Sequence, residues 1–384
     1  MLKKRLIGLL FLGFFLNSGI SQVPKIGSDT TLDIANWNIE WFGDSLNGPS
    51  NENTQLNNSV TVMKSMDMDI WGLCEISNPG YWQKLQNELP DFGAVITDYT
   101  QTQKTALLYR KSQFKLLYSK SILLAYEFEF ASGRFPLEVA LEWDRNGQKD
   151  TLYCWVIHLK ANTGSTTEKQ SAYNRRELAA EALKKYIDAR KSWKGVVLGD
   201  WNDDLDISIF SSKASPFLAW RQDTGYIFPS YRLSLAKVKS TASYSDMIDH
   251  QCLTHRLKWH WDRKSSGVMN GDAYIGSYRL NTSDHYPVWS VLSNRSAEPK
   301  PGFGNMAELG GLTSVNWYVS DGRVFCTVGD MSANVMRNNP VELVDISGKK
   351  HGDFKHGDYV NIPPGTYILV WENSGKQHRK LVFF

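Results

Sequence analysis

Short apolar runs separated by polar or helical stretches extend along most of the chain. The runs TALLYR, PLEVALEW and TLYCWVIH have the length and the β-branched and aromatic content of strands. Two sets of apolar residues repeat instead at helical spacing: Leu56, Val60 and Met63, and Leu178, Ala182, Leu183, Tyr186 and Ile187. Residues 30–293 are therefore predicted to form one α/β or α+β domain in which sheets pack against helices.

The pattern changes in residues 294–312, where Pro, Gly, Ser and charged residues replace the apolar alternation and predict a linker. Beyond it, residues 313–384 show no helical stripe. Their runs VNWYVS, VFCTVG, VELVDI and TYILVWE are short and end at turn-forming residues, which predicts a small all-β sandwich.

The N-terminus predicts export. Lys3, Lys4 and Arg5 precede an apolar run over residues 6–16 and then small residues, the pattern of a secretory signal peptide over residues 1–21. The run is shorter than the roughly 20 residues that span a bilayer. We therefore expect a secreted or cell-surface protein without a transmembrane segment, and a monomer.

Charge and cysteine content exclude few classes of function. The formal net charge of +3 vanishes when the three basic residues of the signal peptide are removed, so no general affinity for polyanions follows. Basic residues are concentrated between Lys160 and Lys194, either as a solvated helix face or as a surface that faces phosphates. The four cysteines share no metal-ligand spacing and lie within apolar runs, so no structural disulfide is expected: Cys74, Cys154, Cys252 and Cys326.

Candidate catalytic residues lie at the ends of these apolar runs, where a rigid sheet can hold them near one point. They are Asn38, Glu75, His158, Asp200, Asn202, Asp249, Asp284 and His285. Any one of them alone would be weak evidence, because short polar motifs are common in turns and caps. Their joint occurrence predicts a shared site.

The residue types suit metal-dependent hydrolysis of a phosphodiester. Glu75, Asp284 and the amide oxygen of Asn38 offer the hard oxygen ligands that Mg²⁺ or Mn²⁺ prefers. His285 can act as a base if a second carboxylate, for which Asp249 is the candidate, fixes its tautomer.

Further residues are predicted to act on water and phosphate. Asp200 and Asn202 are two apart on a segment predicted to be extended, so both would point to one side. Asp200 would then position the water while Asn202 donates to the phosphate. His158 and Arg134 are predicted as further donors to the phosphate oxygens.

Residues of about 33 to 293 carry motifs that resemble those of the endonuclease/exonuclease/phosphatase (DNase I-like) family. The matching segments are NWNIEW, GLCEIS, GRFPLE, VIHLK, GDWND, MIDH and SDHYPV. The resemblance implies a four-layered α/β sandwich with Mg²⁺ or Mn²⁺ at its mouth and Ca²⁺ as a candidate structural ion. In DNase-like members, a Glu partners the histidine that matches His158, and Gln103 occupies the place of that Glu here. Phosphate binding rather than acid catalysis is therefore expected of His158.

The end of the chain carries a second resemblance. The segments VELVDISG and PPGTYIL and the basic residues Lys376, Arg379 and Lys380 resemble the C-terminal sorting domain of the type IX secretion system. The resemblance implies the secretion machinery as a partner. An ordinary carbohydrate-binding or spacer domain is the alternative.

Together these features predict a secreted, metal-dependent nuclease that hydrolyses DNA, and perhaps RNA, with little sequence preference. A phospholipid phosphodiesterase of the sphingomyelinase type is the alternative on the same fold. It would need an exposed aromatic loop to enter a bilayer, for which Trp259–Lys264 is a candidate unless that segment is a strand. A non-catalytic surface adhesin is the third hypothesis, and the completeness of the residue set argues against it.

Overall fold

The computed structural model of the chain describes residues 22–145, 147–294, 314–320, 323–329, 341–345, 349–354, 359–361, 366–373 and 376–383. The predicted signal peptide, 1–21, lies outside the described residues, as does nearly all of the predicted linker, 294–312. Two compact units divide the chain, with the boundary between Glu298 and Pro299. No helix in the described part of the chain combines the length and the apolarity needed to cross a membrane.

Six strands form the first sheet of the N-terminal unit: β1 (Thr31–Phe42), β2 (Ile70–Ile76), β3 (Phe92–Ile96), β4 (Lys104–Arg110), β10 (Trp261–Val268) and β11 (Val288–Ser293). Their order is β10-β11-β1-β2-β4-β3. Strands β1 and β2 are parallel, and β11 runs antiparallel to β1.

Five strands form the second sheet: β5 (Phe114–Ser121), β6 (Leu137–Arg145), β7 (Gln148–His158), β8 (Lys194–Asp200) and β9 (Asp249–Leu253). They are ordered as numbered, with β7 parallel to β8 and β9 antiparallel to β8. The runs TALLYR, PLEVALEW and TLYCWVIH are β4, β6 and β7, so those three strand predictions are confirmed.

Helices cover the outer faces of both sheets: α1 (Glu52–Met66), α2 (Pro79–Glu88), α3 (Thr166–Asp188), α4 (Leu218–Gln222), α5 (Tyr231–Leu235) and α6 (Tyr278–Asn281). Helix α1 buries Leu56, Val60 and Met63 against the first sheet, as predicted. Helix α3 begins with a capping box between Ser165 and Glu168 and packs against the second sheet. Its predicted stripe is wrong at Leu178, which is 48% exposed.

A third apolar layer fills the space between the two sheets. It combines residues of β1, β2 and β4 with residues of β6, β7 and β8. The order helix, sheet, sheet, helix confirms the predicted four-layered α/β sandwich. Trp259 is half-buried in a 3-10 helix over Leu257–His260, and Trp261, the first residue of β10, packs against this middle layer, so neither tryptophan lies in an exposed loop.

The described residues of the C-terminal unit form two antiparallel sheets, in agreement with the all-β prediction. The strands are β12 (Ser314–Ser320), β13 (Arg323–Gly329), β14 (Val341–Asp345), β15 (Lys350–Phe354), β16 (Tyr359–Asn361), β17 (Thr366–Asn373) and β18 (Lys376–Phe383). One sheet has the order β12-β13-β16 and the other β15-β14-β17-β18.

The structure describes the side chains of three cysteines. Cys74, Cys154 and Cys252 are buried and free, as expected for thiols that pack as small apolar groups.

Candidate active site

One edge of the second sheet carries three of the predicted catalytic residues. His158 and Asp200 are the last residues of the parallel strands β7 and β8, and Asp249 is the first residue of β9. Because β9 runs antiparallel to β8, Asp249 lies opposite Asp200 in the strand register. The three side chains therefore meet at one end of the sheet.

The first sheet contributes residues to the same place. Glu75 is the second-last residue of β2, and Asp284 and His285 precede β11, which is antiparallel to β1. Asn38 joins the two sheets, because its Nδ2 donates to Glu75 Oε1 at 3.1 Å and to Asp200 Oδ2 at 3.1 Å. Its amide oxygen accepts from the backbone N–H of Glu40, so metal binding by that oxygen stays a prediction.

His285 and Asp249 form the predicted pair. His285 Nδ1 donates to Asp249 Oδ2 at 2.8 Å, and the Ser240 hydroxyl donates to the same oxygen at 2.7 Å. The other ring nitrogen lies 4.0 Å from Asp200 Oδ2 and 3.8 Å from Asp284 Oδ1. Ser240 has no sequence signal, since it lies in a polar loop far from the motifs.

Electrostatics assigns different proton affinities to these groups. Burial opposes the charge of His285, but Asp249, Asp284 and Asp200 together raise its pKa well above the usual value. Burial, and then repulsion from Asp249, raises the pKa of Asp200 as well. Both shifts favour the protonated forms of these groups, and the predicted base role of His285 stays a prediction.

His158 is a neutral histidine beneath the carboxylates. Burial, and then the charge of Arg134, lower its pKa well below the usual value. Arg134 NH1 lies within 2.9 Å of both ring nitrogens and donates to Gln103 Oε1 at 3.0 Å. His158 Nε2 itself lies 3.4 Å from Asp200 Oδ2 and 3.7 Å from Glu75 Oε1. Gln103 therefore supports the arginine, and carboxylates of the site stand beside the histidine.

Asn202 adopts a turn rather than the predicted extended conformation. Its φ of 56° lies in the left-handed region, as does the φ of 63° at Glu75. Such conformations are costly for non-glycine residues and are concentrated at functional sites. The Asn202 backbone N–H donates to Asp200 Oδ1, and its side chain donates to the Leu159 carbonyl at 3.0 Å. The extended-segment prediction is therefore wrong, although both residues reach the site.

A buried ion pair that sequence reasoning missed fixes this turn. Arg176 of α3 donates through Nε and NH2 to Asp203 Oδ2 at 3.1 and 2.8 Å, and through NH1 to the Lys160 carbonyl at 2.9 Å. Both side chains of the pair are fully buried. No local pattern in the sequence marks this pair, because its two residues are 27 positions apart.

Glu40 is a second residue that sequence reasoning missed. Its Oε2 accepts from Arg279 NH1 at 2.7 Å and from the backbone N–H of Asp284 at 3.1 Å. Burial, and then repulsion from Asp284, raise its pKa to about 7. The available signal was its spacing of two residues from Asn38 in the same strand.

The oxygen atoms on the open side of this site fit a hard divalent cation. The side chains of Asp284 and Glu75 are 29% and 12% exposed, and Glu40 lies close enough to repel both. A cation held there would offset the repulsion, polarise a phosphoryl oxygen and stabilise the leaving oxygen. Asp200, Asp249 and His285 also bring ligand atoms within 4.8 Å of one another, but all three are buried. His285 and Ser240 donate to Asp249, and Asn38 and the Asn202 backbone donate to Asp200, which suits proton transfer better.

Comparisons with known proteins define the fold. No protein-family model and no curated protein matches the sequence. A structure of D. rerio TDP2 complexed with single strand DNA product aligns with a TM-score of 0.52 at 16% identity, over 69% of this chain and 100% of that one. The endonuclease/exonuclease/phosphatase from Beutenbergia cavernae aligns with a TM-score of 0.51 at 14% identity, over 92% of this chain and 100% of that one.

These likenesses establish the architecture of the N-terminal unit as the DNase I-like α/β sandwich. Its structural neighbours are endonuclease/exonuclease/phosphatase proteins.

Proposed function

We propose that the chain is a metal-dependent phosphodiesterase that acts on nucleic acid. The observation that carries the proposal is the meeting of both sheets at one edge. There, the oxygen ligands Glu75 and Asp284 stand next to the His285–Asp249 pair and to Asp200. A phosphodiester needs this combination, because a hard cation and proton-transfer groups must act on one phosphorus centre.

In this proposal each residue has a defined part. Glu75 and Asp284 would hold Mg²⁺ or Mn²⁺, with the Glu40 carboxylate beside them. Asn38 fixes the Glu75 carboxylate through Nδ2 and would be a further ligand through its amide oxygen. Asp200 accepts the proton of the attacking water, and the His285 imidazolium donates to a phosphate oxygen. Asn202, His158 and Arg134 donate to other phosphate oxygens, and Arg134 also contacts His158.

Nucleic acid is the preferred substrate class. The TDP2 neighbour was solved with a single-stranded DNA product, and the candidate membrane loop of the lipid alternative is a 3-10 turn followed by a strand here. We also propose that residues 1–21 direct export and that the C-terminal unit is read by a secretion machinery. An exported nuclease would release nucleotides from polymers outside the cell.

The test compares Glu75→Gln with wild type on plasmid DNA, single-stranded DNA, RNA, sphingomyelin and bis(p-nitrophenyl) phosphate, each with Mg²⁺, Mn²⁺ or EDTA. We expect hydrolysis of nucleic acid and of the small ester that EDTA abolishes and that Glu75→Gln reduces by at least about 10²-fold, because the loss of one carboxylate charge weakens the metal site. Glu88→Gln, on an exposed position of α2, is the matched control and should be fully active.

Unchanged turnover of Glu75→Gln at saturating Mg²⁺ would show that Glu75 is not a ligand. Turnover of sphingomyelin without cleavage of any nucleic acid would replace the proposal with the lipid alternative.

A further inference from the structure

The chain between β5 and β6 exposes large apolar side chains next to the active site. Phe128 and Leu124 are each 59% exposed, and Tyr126 is exposed as well. Exposed aromatic residues that are grouped, rather than scattered singly, mark binding surfaces. Of these side chains, Phe128 packs against a buried arginine.

Arg175 of α3 holds Phe128 rigidly from below. Its guanidinium carbon lies 4.2 Å from the centre of the Phe128 ring. Its Nε donates to the Phe128 carbonyl at 2.7 Å, and its NH2 donates to Ser132 Oγ at 3.1 Å. Arg175 is only 8% exposed, so the ring covers the cation with one face and is accessible from the other.

The same segment leads directly to the catalytic residues. Phe130 is fully buried, and its carbonyl accepts from the backbone N–H of Arg134 at 2.7 Å. Arg134 contacts His158, so five residues separate the exposed ring from a side chain that touches the site. The loop is therefore anchored at Phe128 by Arg175 and just after it by the buried Phe130.

Positive charge connects the ring with the site. Lys160 follows the strand that ends in His158, and burial, then repulsion from Arg134, Arg175 and Arg176, lower the pKa of Lys160. Arg176 is neutralised by Asp203. Within the described part of the chain, neither Lys160 nor Arg175 has a carboxylate at ion-pair distance. These cations complement a phosphate backbone.

We propose that Phe128 is a stacking surface for an unpaired base of a nucleic acid strand whose phosphates pass Lys160 on the way to the catalytic residues. The inference rests on the proposed function and sharpens it, because it names single-stranded nucleic acid as the preferred substrate. Bases in a duplex are paired and stacked on each other, whereas those of a single strand can offer a face to an aromatic ring.

The test measures binding of the full chain to a fluorescent single-stranded DNA oligonucleotide by anisotropy in EDTA, where no metal-dependent cleavage can occur. Phe128→Ala should weaken binding by about tenfold or more, since stacking on an aromatic side chain is worth roughly 1–3 kcal/mol per base. Phe128→Trp should bind at least as tightly as wild type. Leu124→Ala is the matched control, because it removes an equally exposed apolar side chain from the same loop without a cation beneath it.

An abasic oligonucleotide of the same length separates stacking from phosphate binding. It should bind more weakly than the normal strand, and Phe128→Ala should not weaken it further. Equal binding of the normal strand by wild type and Phe128→Ala, or an equal loss on the abasic strand, would overturn the inference. A third outcome would also overturn it. If vesicles of phosphatidylcholine and sphingomyelin bound wild type but neither alanine variant, while oligonucleotide binding stayed unchanged, the segment would be a lipid-binding loop.

Hydrolysis of bis(p-nitrophenyl) phosphate with Mg²⁺ tests the proposed function separately, because this small ester does not extend along the strand. Wild type should hydrolyse it with Mg²⁺ and not in EDTA. If wild type fails to hydrolyse any phosphodiester, the proposed function fails, while the binding comparison still decides whether Phe128 stacks on bases.

Discussion

At the scale of single residues, the pKa values of the site side chains are set by their neighbours as much as by residue type. His285 and His158 are both buried histidines, yet carboxylates hold the first as a cation and Arg134 helps hold the second neutral. The two rings can therefore perform different work at one pH. Asp249 is central to this difference, because it bonds the ring of His285 directly.

His285→Ala should lower kcat on a nucleic acid substrate by at least about 10²-fold with a smaller effect on KM, the usual scale for removing a proton-transfer group. Asp249→Asn should act in the same direction, because the amide no longer stabilises the imidazolium. Steady-state kinetics of both single variants and the double variant would measure the coupling.

The double variant should be little worse than His285→Ala alone, because Asp249 works through the ring. If Asp249→Asn still reduced turnover severalfold in the His285→Ala background, the two residues would not form a unit. Ser245→Ala, in an exposed part of the loop that contains Ser240, is a control for effects of the loop itself.

Sequence could identify most site residues but not how they interact. Asp200, Asp249 and His285 follow or open apolar runs, and strand ends meet at sheet edges, so their convergence could be predicted. The turn at Asn202 could not, because its conformation is imposed by the distant contact between Arg176 and Asp203. Such long-range polar contacts leave no local pattern in the sequence.

At the scale of elements, polar side chains inside the sandwich fix one sheet on the other. Gln251 of β9 donates through Nε2 to the carbonyls of Ile34 and Val288 at 3.1 Å each, and its Oε1 accepts from the Ser290 hydroxyl. Asn36 of β1 donates to the Gly199 carbonyl at 3.2 Å. These bonds cross between the sheets close to the strand ends that carry the site. They set the relative position of the two sheets more sharply than apolar packing alone.

Gln251→Leu should destabilise the N-terminal unit by about 2–4 kcal/mol, because burial leaves the former partners without hydrogen bonds. Urea unfolding followed by tryptophan fluorescence would measure the loss. Gln83→Leu, at an exposed position of α2, should stay within about 0.5 kcal/mol of wild type. A Gln251→Leu protein as stable as wild type would show that these bonds do not hold the sheets together.

Helices and strands could largely be predicted from the sequence, because the spacing of apolar residues reflects burial on one face of each element. Strands β4, β6 and β7 and helix α1 follow their patterns closely. Helix α3 departs from its pattern at two positions, since Leu178 is exposed while Arg176 is buried. A buried ion pair with Asp203 makes the second departure favourable, and a pattern of apolar residues cannot indicate it.

At the scale of the whole molecule, every candidate catalytic residue lies in the N-terminal unit. Deletion of residues 299–384 should therefore leave kcat and KM on nucleic acid nearly unchanged, because a domain with its own core folds and works alone. Under the proposed sorting role, the truncated protein should also accumulate in the periplasm of its own host. Assays of purified protein and fractionation of host cells would measure the two effects.

A truncated protein that keeps its circular dichroism spectrum but loses most activity on nucleic acid would identify the C-terminal unit as a substrate-binding module. The sorting assignment would fall if the truncated protein reached the medium as efficiently as the full chain.

The site also draws on nearly the whole length of its domain, from Asn38 in the first strand to His285 just before β11. A nascent chain that synthesis has not yet carried past residue 293 lacks His285 or the strand that follows it, and a chain kept unfolded for export has no docked sheets. For an enzyme with the proposed activity, this order of residues delays the first cut until synthesis of the domain is complete. The nucleic acid of the producing cell is thereby spared while the enzyme is made.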